Sequence, residues 1–299
     1  MDRTLLAHAA AAAAALSAGT AVVATRYVVG ETDALSLVFY RYLVSVLCFL
    51  PILPALWPRE GIGSGEGLKI AGFGILFFVL FPWAFNAALE INPAARGAVG
   101  LATIPIQTLL VAAAFGRERM TIPKVGGAVT AFLGIAIAFG PAAFASGNGN
   151  HFYGDALMLL GVLCAALYSV FSRPTLMRHG PLFVTALGMA FAVVALAPVV
   201  IAKTGPVIPT FTTRGWLAVL FLGSVAGTLQ FSLFMWALRR LPPTTTVLYL
   251  TLNPITAMVL GVMLLGESVT VELLIGMALV LAGIYVGSGL HEAWKRSTA

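Results

Sequence analysis

Charged side chains are scarce in this sequence. Only 9% of its 299 residues are charged, whereas soluble domains carry about 25%. So little polar surface cannot coat a water-soluble globule, and the apolar residues fall in long segments. The only two cysteines, Cys48 and Cys164, lie inside such segments, which favours packing roles over a disulfide or a metal pair. The composition therefore predicts an all-α integral membrane protein.

Catalytic signatures are absent as well. The sequence has no phosphate-binding Gly-Lys-Ser/Thr loop, no Gly-x-Ser-x-Gly and no His-Glu-x-x-His. We therefore predict that the protein is not an enzyme and uses no cofactor or metal. Its net charge of +6 does not indicate a nucleic-acid partner, because the basic residues stand at the ends of apolar segments, where cations flank membrane spans.

The apolar segments number ten, and each is close to the roughly 20 residues that a helix needs to cross a bilayer. They are Leu5 to Val29, Ala34 to Leu56, Leu68 to Leu89, Ala95 to Phe115, Ile122 to Phe139, Gly154 to Phe171, Leu182 to Ala202, Trp216 to Leu238, Thr244 to Leu265 and Val271 to Leu290. Twelve Lys and Arg residues fall on one side of these spans and four on the other. Cytoplasmic loops carry such an excess, so we expect ten transmembrane helices in the inner membrane with both termini in the cytoplasm.

The second half of the chain repeats the first at an offset of 149 residues. Pro105 aligns with Pro254, and Glu118 aligns with Glu267. The predicted units are a first five-helix repeat at 1–145, a second at 150–291 and a cytoplasmic tail at 292–299. Because five is odd, the second repeat must be inverted relative to the first. Inverted repeats around a binding site at the membrane midplane are a transporter architecture.

Carboxylates are missing from the middle of the predicted spans. Ion-coupled carriers usually place one there, so we expect facilitative transport. Arg41 lies well inside a span; it is either a contact for a substrate carboxylate or a structural group that pairs with Asp33 or Glu31 or reaches the interface. Pro105 and Pro254 occupy equivalent mid-span positions, where each removes a helix hydrogen bond and predicts a kink with a role in gating.

Neutral polar and aromatic side chains remain as candidates for a binding site. Gln107, Tyr168, Gln230 and Tyr249 lie deep in the fourth, sixth, eighth and ninth spans, where such groups are costly to bury without partners. Aromatic rows occupy the third and eighth spans, which the repeat pairs. This pattern indicates an aromatic-lined cavity that suits a neutral or zwitterionic solute with an apolar body.

Three short sequences resemble the drug/metabolite transporter superfamily in its ten-helix EamA-type form. They are Phe-Tyr-Arg at 39–41, Gly-Arg-Glu-Arg at 116–119 and Leu-Gly-Glu-Ser at 265–268. Within that superfamily the chain most resembles the YddG-type aromatic amino acid exporters.

This resemblance implies a carrier, monomeric or homodimeric in the lipid bilayer, that exports a small-molecule substrate by alternating access. The implied substrates are aromatic or hydrophobic amino acids, and the alternative is an efflux carrier for other small metabolites or drugs. The implied lining of its cavity is Phe78, Trp83, Gln107, Tyr168, Gln230 and Tyr249.

Overall fold

The computed structural model describes residues 3–28, 30–58, 61–92, 94–144, 151–204, 211–265 and 270–289. Val29, Glu267 and the predicted tail at 292–299 lie outside these ranges. Within them the chain is helical apart from turns and short connections, which confirms the predicted all-α class.

The helices follow one another along the chain with these bounds: α1 Arg3–Arg26, α2 Ala34–Phe49, α3 Leu53–Leu56, α4 Ser64–Ile75, α5 Phe81–Ile91, α6 Ala94–Leu101, α7 Ile104–Ala114, α8 Ile122–Phe144, α9 Phe152–Phe171, α10 Arg173–His179, α11 Pro181–Thr204, α12 Thr213–Gly223, α13 Gln230–Arg240, α14 Pro243–Leu248, α15 Leu252–Leu265 and α16 Val271–Ser288.

Eight helical stretches of the described chain are long and apolar enough to cross a membrane. They coincide with the first, the third to eighth and the tenth predicted spans, as Arg3–Thr25, Ser64–Ile91, Ala95–Ala114, Ile122–Pro141, Phe152–Phe171, Pro181–Lys203, Thr213–Arg240 and Val271–Ser288. The second predicted span contains a shorter apolar helix, Leu35–Phe49, and the ninth is divided between α14 and α15. The total of ten crossings stays a prediction for these two segments.

Two of the long spans contain a π-helical segment in their middle. Leu76–Leu80 joins α4 to α5, and Ser224–Leu229 joins α12 to α13. An offset of 149 residues places 76–80 on 225–229, so the interruptions fall at equivalent positions of the sequence repeat. Because π-helical turns displace the normal i→i−4 hydrogen bonds, they are frequent at functional sites.

The fourth and ninth predicted spans are interrupted near their prolines. α6 ends at Leu101, and α7 begins at Ile104, directly before Pro105. In the second half a 3₁₀ turn, Tyr249–Thr251, precedes α15, of which Pro254 is the third residue. A proline has no N–H to donate and its ring crowds the preceding turn, so both breaks lie where the missing donor costs least.

Threonine hydroxyls hydrogen-bond to backbone carbonyls at these two breaks. Thr103 Oγ1 donates to the Gly100 carbonyl at 2.6 Å, and Thr251 Oγ1 donates to the Leu248 carbonyl at 2.7 Å. Such bonds matter in a bilayer, because the hydrocarbon offers no water to the freed backbone groups.

α8 and α16 pack backbone against backbone through glycines. A methyl group at Gly134 would lie 2.6 Å from the Gly276 carbonyl oxygen, and one at Gly276 would lie 2.5 Å from the Gly134 oxygen. Gly127 lies against Gly287 in the same way. Since residue numbers rise along α8 as they fall along α16, the two helices are antiparallel. Close approach of this kind is how membrane helices gain van der Waals contact without a hydrophobic driving force.

This contact predicts a difference between two neighbouring glycines of α8. Gly127→Ala would place its methyl group against the Gly287 backbone, whereas nothing lies within 4 Å of a methyl group at Gly126. We expect Gly127→Ala to destabilise the protein by about 1–3 kcal/mol through overpacking and Gly126→Ala to be neutral or stabilising by up to about 1 kcal/mol. Thermal unfolding of both purified variants in the same detergent measures this, and equal melting temperatures would contradict the contact.

Candidate functional site

Six aromatic side chains from four segments pack together inside the helical bundle. Phe77 stacks on Tyr168 with ring centroids 4.4 Å apart and an interplanar angle of 23°. Phe78 meets Phe231 edge-on at 5.2 Å. The full group, here called the aromatic cluster, comprises Tyr42, Phe77, Phe78, Tyr168, Phe231 and Phe234. It therefore joins α2, the π-helical segment at 76–80, α9 and α13.

The aromatic cluster unites rings from both halves of the sequence repeat. Phe77 and Phe78 come from the third predicted span, and Phe231 and Phe234 come from the eighth. Phe77 and Phe234 have nearly parallel rings, 6.3 Å apart. Tyr42 joins them by its edge-on contact with Phe78 at 5.3 Å. The sequence analysis did not identify Tyr42 as a candidate. Its position directly after the Phe-Tyr-Arg sequence was the signal that could have indicated it.

Tyr168 is the most enclosed polar member of the aromatic cluster. It is 1% exposed, and its hydroxyl donates to Met235 Sδ at 3.1 Å. A thioether is a weak acceptor, so this hydroxyl is only loosely held in its present arrangement. Of the residues that the resemblance implies for the cavity, Phe78 and Tyr168 both belong to the aromatic cluster. Gln230 directly precedes a third member of the cluster, Phe231, in the chain.

The two glutamines occupy different surroundings. Gln230 is 7% exposed and begins α13 directly after the π-helical segment at 224–229. Its Oε1 has no hydrogen-bond partner among the described residues. Gln107 is half-buried in α7, and its Nε2 donates to Thr103 Oγ1 at 3.3 Å beside the break before Pro105.

Tyr249 lies in the 3₁₀ turn of the ninth span, in a different packing group from the aromatic cluster. Its hydroxyl is 2.9 Å from His8 Nδ1 of α1, and both side chains are buried. The sequence did not predict this pair, because residues 241 positions apart carry no local signal of their contact. The bond ties the first span to the interrupted part of the ninth.

Trp83 differs from the other implied lining residues because 47% of its surface is exposed. It lies in α5, and no ring contact joins it to the aromatic cluster within the described part of the chain. Pro105 is buried at the start of α7, and Pro254 is half-buried in α15.

Arg41 contacts the π-helical segment of the eighth span. One of its Nη2 hydrogens is directed at the Ala226 carbonyl, and its guanidinium carbon is 5.7 Å from the centroid of the Phe231 ring. Its Nε is buried and has no hydrogen-bond partner within the described ranges of the chain. Arg41 thus borders the aromatic cluster on the side of α13.

The structure does not pair Arg41 with Asp33 or Glu31, which was one of the alternatives for a structural role. Asp33 instead caps α2, accepting bonds from the Leu35 and Ser36 backbone at 3.1 and 3.2 Å. Partial burial opposes ionisation of Asp33, but these bonds and the Ser36 hydroxyl hold its pKa below the usual range. Glu31 accepts from the backbone and hydroxyl of Thr212, each at 2.7 Å. Asp33 is therefore occupied by donors of the first turn of α2 and Glu31 by the start of α12, while Arg41 lies about two helical turns inside α2.

Comparison with known proteins gives the class. The model of the EamA-like transporter family matches this chain twice, over residues 5–140 and 152–288. The chain therefore belongs to the EamA-like transporter family. It is a multi-pass membrane transporter and not an enzyme, as the sequence predicts.

Several relatives share most of this length. An uncharacterized transporter of Archaeoglobus fulgidus is 25% identical over 268 residues, covering 90% of this chain and 93% of that protein. The uncharacterized inner membrane transporter YedA of Escherichia coli is 30% identical over 211 residues, covering 68% and 65%. A probable terminal-alkyne amino-acid exporter of Streptantibioticus cattleyicolor is 28% identical over 197 residues, covering 64% and 63%.

One solved crystal structure superposes with a TM-score of 0.80 at 21% sequence identity, covering 96% of this chain and 98% of the other. At that identity it is similar in fold alone.

The packing of the aromatic cluster predicts a large cost for removing its central ring. Phe77 is 5% exposed and contacts Phe78, Tyr168, Phe231 and Phe234. Phe77→Ala should destabilise the protein by about 3–5 kcal/mol, because it leaves a cavity among rings that cannot collapse fully. The matched control, Phe152→Ala, removes a ring that is 79% exposed and should leave the melting temperature nearly unchanged. Similar losses in both variants would show that the cluster is not a packed core.

Proposed function

We propose that this transporter exports aromatic and hydrophobic amino acids across the inner membrane. The observation that carries the proposal is the aromatic cluster, which borders few fixed charges and draws on helices from both repeats. Ring-to-ring contacts favour edge-on or offset geometry and contribute about 0.5–1.5 kcal/mol each beyond area burial. A substrate with an aromatic side chain is the solute that can best replace these ring-to-ring contacts. Two relatives add support, since one is named an amino-acid exporter and another an inner membrane transporter.

Facilitative transport agrees with where the charges lie. The carboxylates of the described spans sit near helix ends, and three acidic residues have cationic partners there. Asp155 meets Arg96 at 2.5 Å, Glu118 meets Lys124 at 2.5 Å, and Glu66 meets Lys69 at 2.9 Å. A proton- or sodium-coupled carrier usually needs a carboxylate at mid-membrane depth. We therefore expect the substrate gradient to drive the flux.

Alternating access requires that the two repeats, 1–145 and 150–291, run in opposite directions through the membrane. Three observations support this arrangement. The family model matches the chain twice, the π-helical segments occupy equivalent positions, and α8 packs antiparallel against its repeat partner α16. A rocking motion of such halves exposes a central site first to one side and then to the other.

Two acidic contacts connect the repeats at the starts of the interrupted long spans. Glu66, near the start of α4, contacts His179 Nε2 at 3.2 Å and Arg178 Nη1 at 3.5 Å. Thr212 caps α12 and donates to Glu31. Because α4 and α12 begin at equivalent positions, inversion would place these contacts at opposite membrane faces. Each then closes one entrance, and transport requires them to open in turn.

Inversion is tested by the membrane side of two equivalent residues, Ser64 and Thr213. Both are exposed at the starts of α4 and α12. In a chain with Cys48→Ser and Cys164→Ala, a membrane-impermeant maleimide added to intact cells should label Thr213→Cys. Ser64→Cys should be labelled only after permeabilisation. Labelling of both from the same side would contradict the inverted arrangement.

Transport itself is tested in liposomes loaded with radiolabelled L-phenylalanine. The reconstituted protein should release the label faster than protein-free liposomes do, and an imposed proton or sodium gradient should leave the initial rate unchanged. External L-leucine should exchange with the label, whereas L-glutamate and L-lysine should not, because the site lacks groups to neutralise an additional charge. The absence of flux for every amino acid would remove the proposal, and inhibition by drugs alone would favour the carrier of other metabolites.

A further inference from the structure

We propose that Arg41 and Gln230 together bind the backbone of the amino acid: the Arg41 guanidinium holds the α-carboxylate, and Gln230 Oε1 accepts from the α-ammonium group. This inference rests on the proposed function and adds to it the way in which a zwitterion is recognised. The aromatic cluster by itself would accept an aromatic amine or acid equally well.

The first argument is that no carboxylate of the described residues forms an ion pair with Arg41. None of the ion pairs among the described residues includes Arg41, and Asp33 and Glu31 are engaged elsewhere. Among the described residues, its guanidinium donates to a neutral carbonyl, that of Ala226. A cation inside a membrane protein without a carboxylate partner is costly to maintain and indicates a functional site. A bound carboxylate is the anion whose geometry fits a guanidinium.

The second argument is that Arg41 is held in place with a donor left over. Ser45, one turn further along α2, donates to the Gly223 carbonyl at 2.7 Å, and Thr228 Oγ1 lies 3.3 Å from the Ser45 carbonyl. These bonds fasten α2 to the π-helical segment at 224–229, beside the Ala226 contact. The Nε–H of Arg41 is buried, and no described residue accepts from it. A fixed guanidinium with a free N–H is prepared for a ligand and loses little freedom on binding.

The third argument is that the complementary acceptor lies on the same stretch of helix. Gln230 comes between Ala226 and Phe231, the two residues of the eighth span that contact Arg41. Its Oε1 is buried without a hydrogen-bond partner in the described part of the chain. Buried amide oxygens nearly always have a donor, and an ammonium group supplies a charged one. Gln230 lies four residues after Ala226, so the two share one face of this helical span, and a carboxylate and an ammonium group on one α-carbon need a donor and an acceptor on neighbouring surfaces.

The fourth argument is that the aromatic cluster adjoins Arg41. Phe231, which lies beneath the Arg41 guanidinium, contacts Phe77 at 5.8 Å and Phe78 at 5.2 Å between ring centroids. A ligand whose carboxylate reaches Arg41 can therefore direct its side chain into the aromatic cluster. Such a site would select its ligands first by the carboxylate and ammonium groups on the α-carbon and then by the shape of the side chain.

The test compares three ligands that differ only in their charged groups. L-Phenylalanine has both groups, L-phenylalaninamide lacks the carboxylate, and 3-phenylpropionate lacks the ammonium group. The purified protein in nanodiscs is first allowed to bind tritiated L-phenylalanine. Each unlabelled ligand is then added in turn, and the amount that displaces the label is measured. We expect the wild type to bind L-phenylalanine at least about tenfold more tightly than either analogue, as the loss of one charged hydrogen bond requires.

The variants divide that preference into its two parts. Arg41→Gln should abolish the preference over L-phenylalaninamide and keep the preference over 3-phenylpropionate. Gln230→Leu should do the reverse, so each variant is the matched control of the other. Arg239→Gln, which removes a cation at the end of α13 outside the site, should keep both preferences. A structural role for Arg41 would lower the affinity for all three ligands together and leave their ratios unchanged.

The outcomes separate this inference from the proposed function. If the wild type binds and transports no amino acid, the function fails. If it transports L-phenylalanine but binds the amide equally well, or if Arg41→Gln retains the preference over the amide, only the pairing is overturned. Should Arg41→Gln not fold, Arg41→Lys keeps the charge but not the planar donor geometry. It should then show a reduced but measurable preference over the amide, and an unreduced one would also overturn the pairing.

Discussion

Hydrocarbon offers no hydrogen-bond partner to a peptide group, and this constraint shapes each unusual feature of the structure. The interrupted spans bring the free backbone groups of a broken helix into a low-dielectric interior, where they remain only if the protein itself pairs them. Thr103 and Thr251 do so at the breaks near the two prolines. At the π-helical segment of the eighth span, Ser45 and Arg41 do so from a neighbouring helix. These three breaks are therefore also places where a polar side chain enters the membrane interior.

Polar groups are consequently concentrated at two depths. Carboxylates and most cations meet near the helix ends, as Arg96 and Asp155 do, where water lowers the cost of charge. Inside the bundle the aromatic cluster fills the space, bordered by Arg41 and Gln230. Such a distribution suits the proposed transport of zwitterions, because one donor and one acceptor within apolar surroundings are sufficient to bind a solute without net charge. Additional buried charges would retain the solute instead of releasing it.

Much of the architecture followed from composition and periodicity, because a bilayer imposes length and hydropathy on every crossing. The eight long spans and the aromatic rows of the third and eighth spans were accessible in this way, whereas the transporter class came from the internal repeat and the family resemblance. Partners remote in the chain were not accessible. The contact of His8 with Tyr249, the entry of Tyr42 into the aromatic cluster and the turn of Arg41 toward Ala226 depend on helix rotation and on the π-helical segments. A hydrophobic run is the same at every rotation, so the sequence left the partner of Arg41 open.

The glycine contact between α8 and α16 also limits how the bundle moves. Where two backbones touch with no side chain between them, a displacement of even a fraction of a residue brings an α-carbon against a carbonyl oxygen. This pair therefore resists sliding of one helix along the other. The interrupted fourth and ninth spans pack beside it, and their discontinuities allow one segment of a span to tilt without the other.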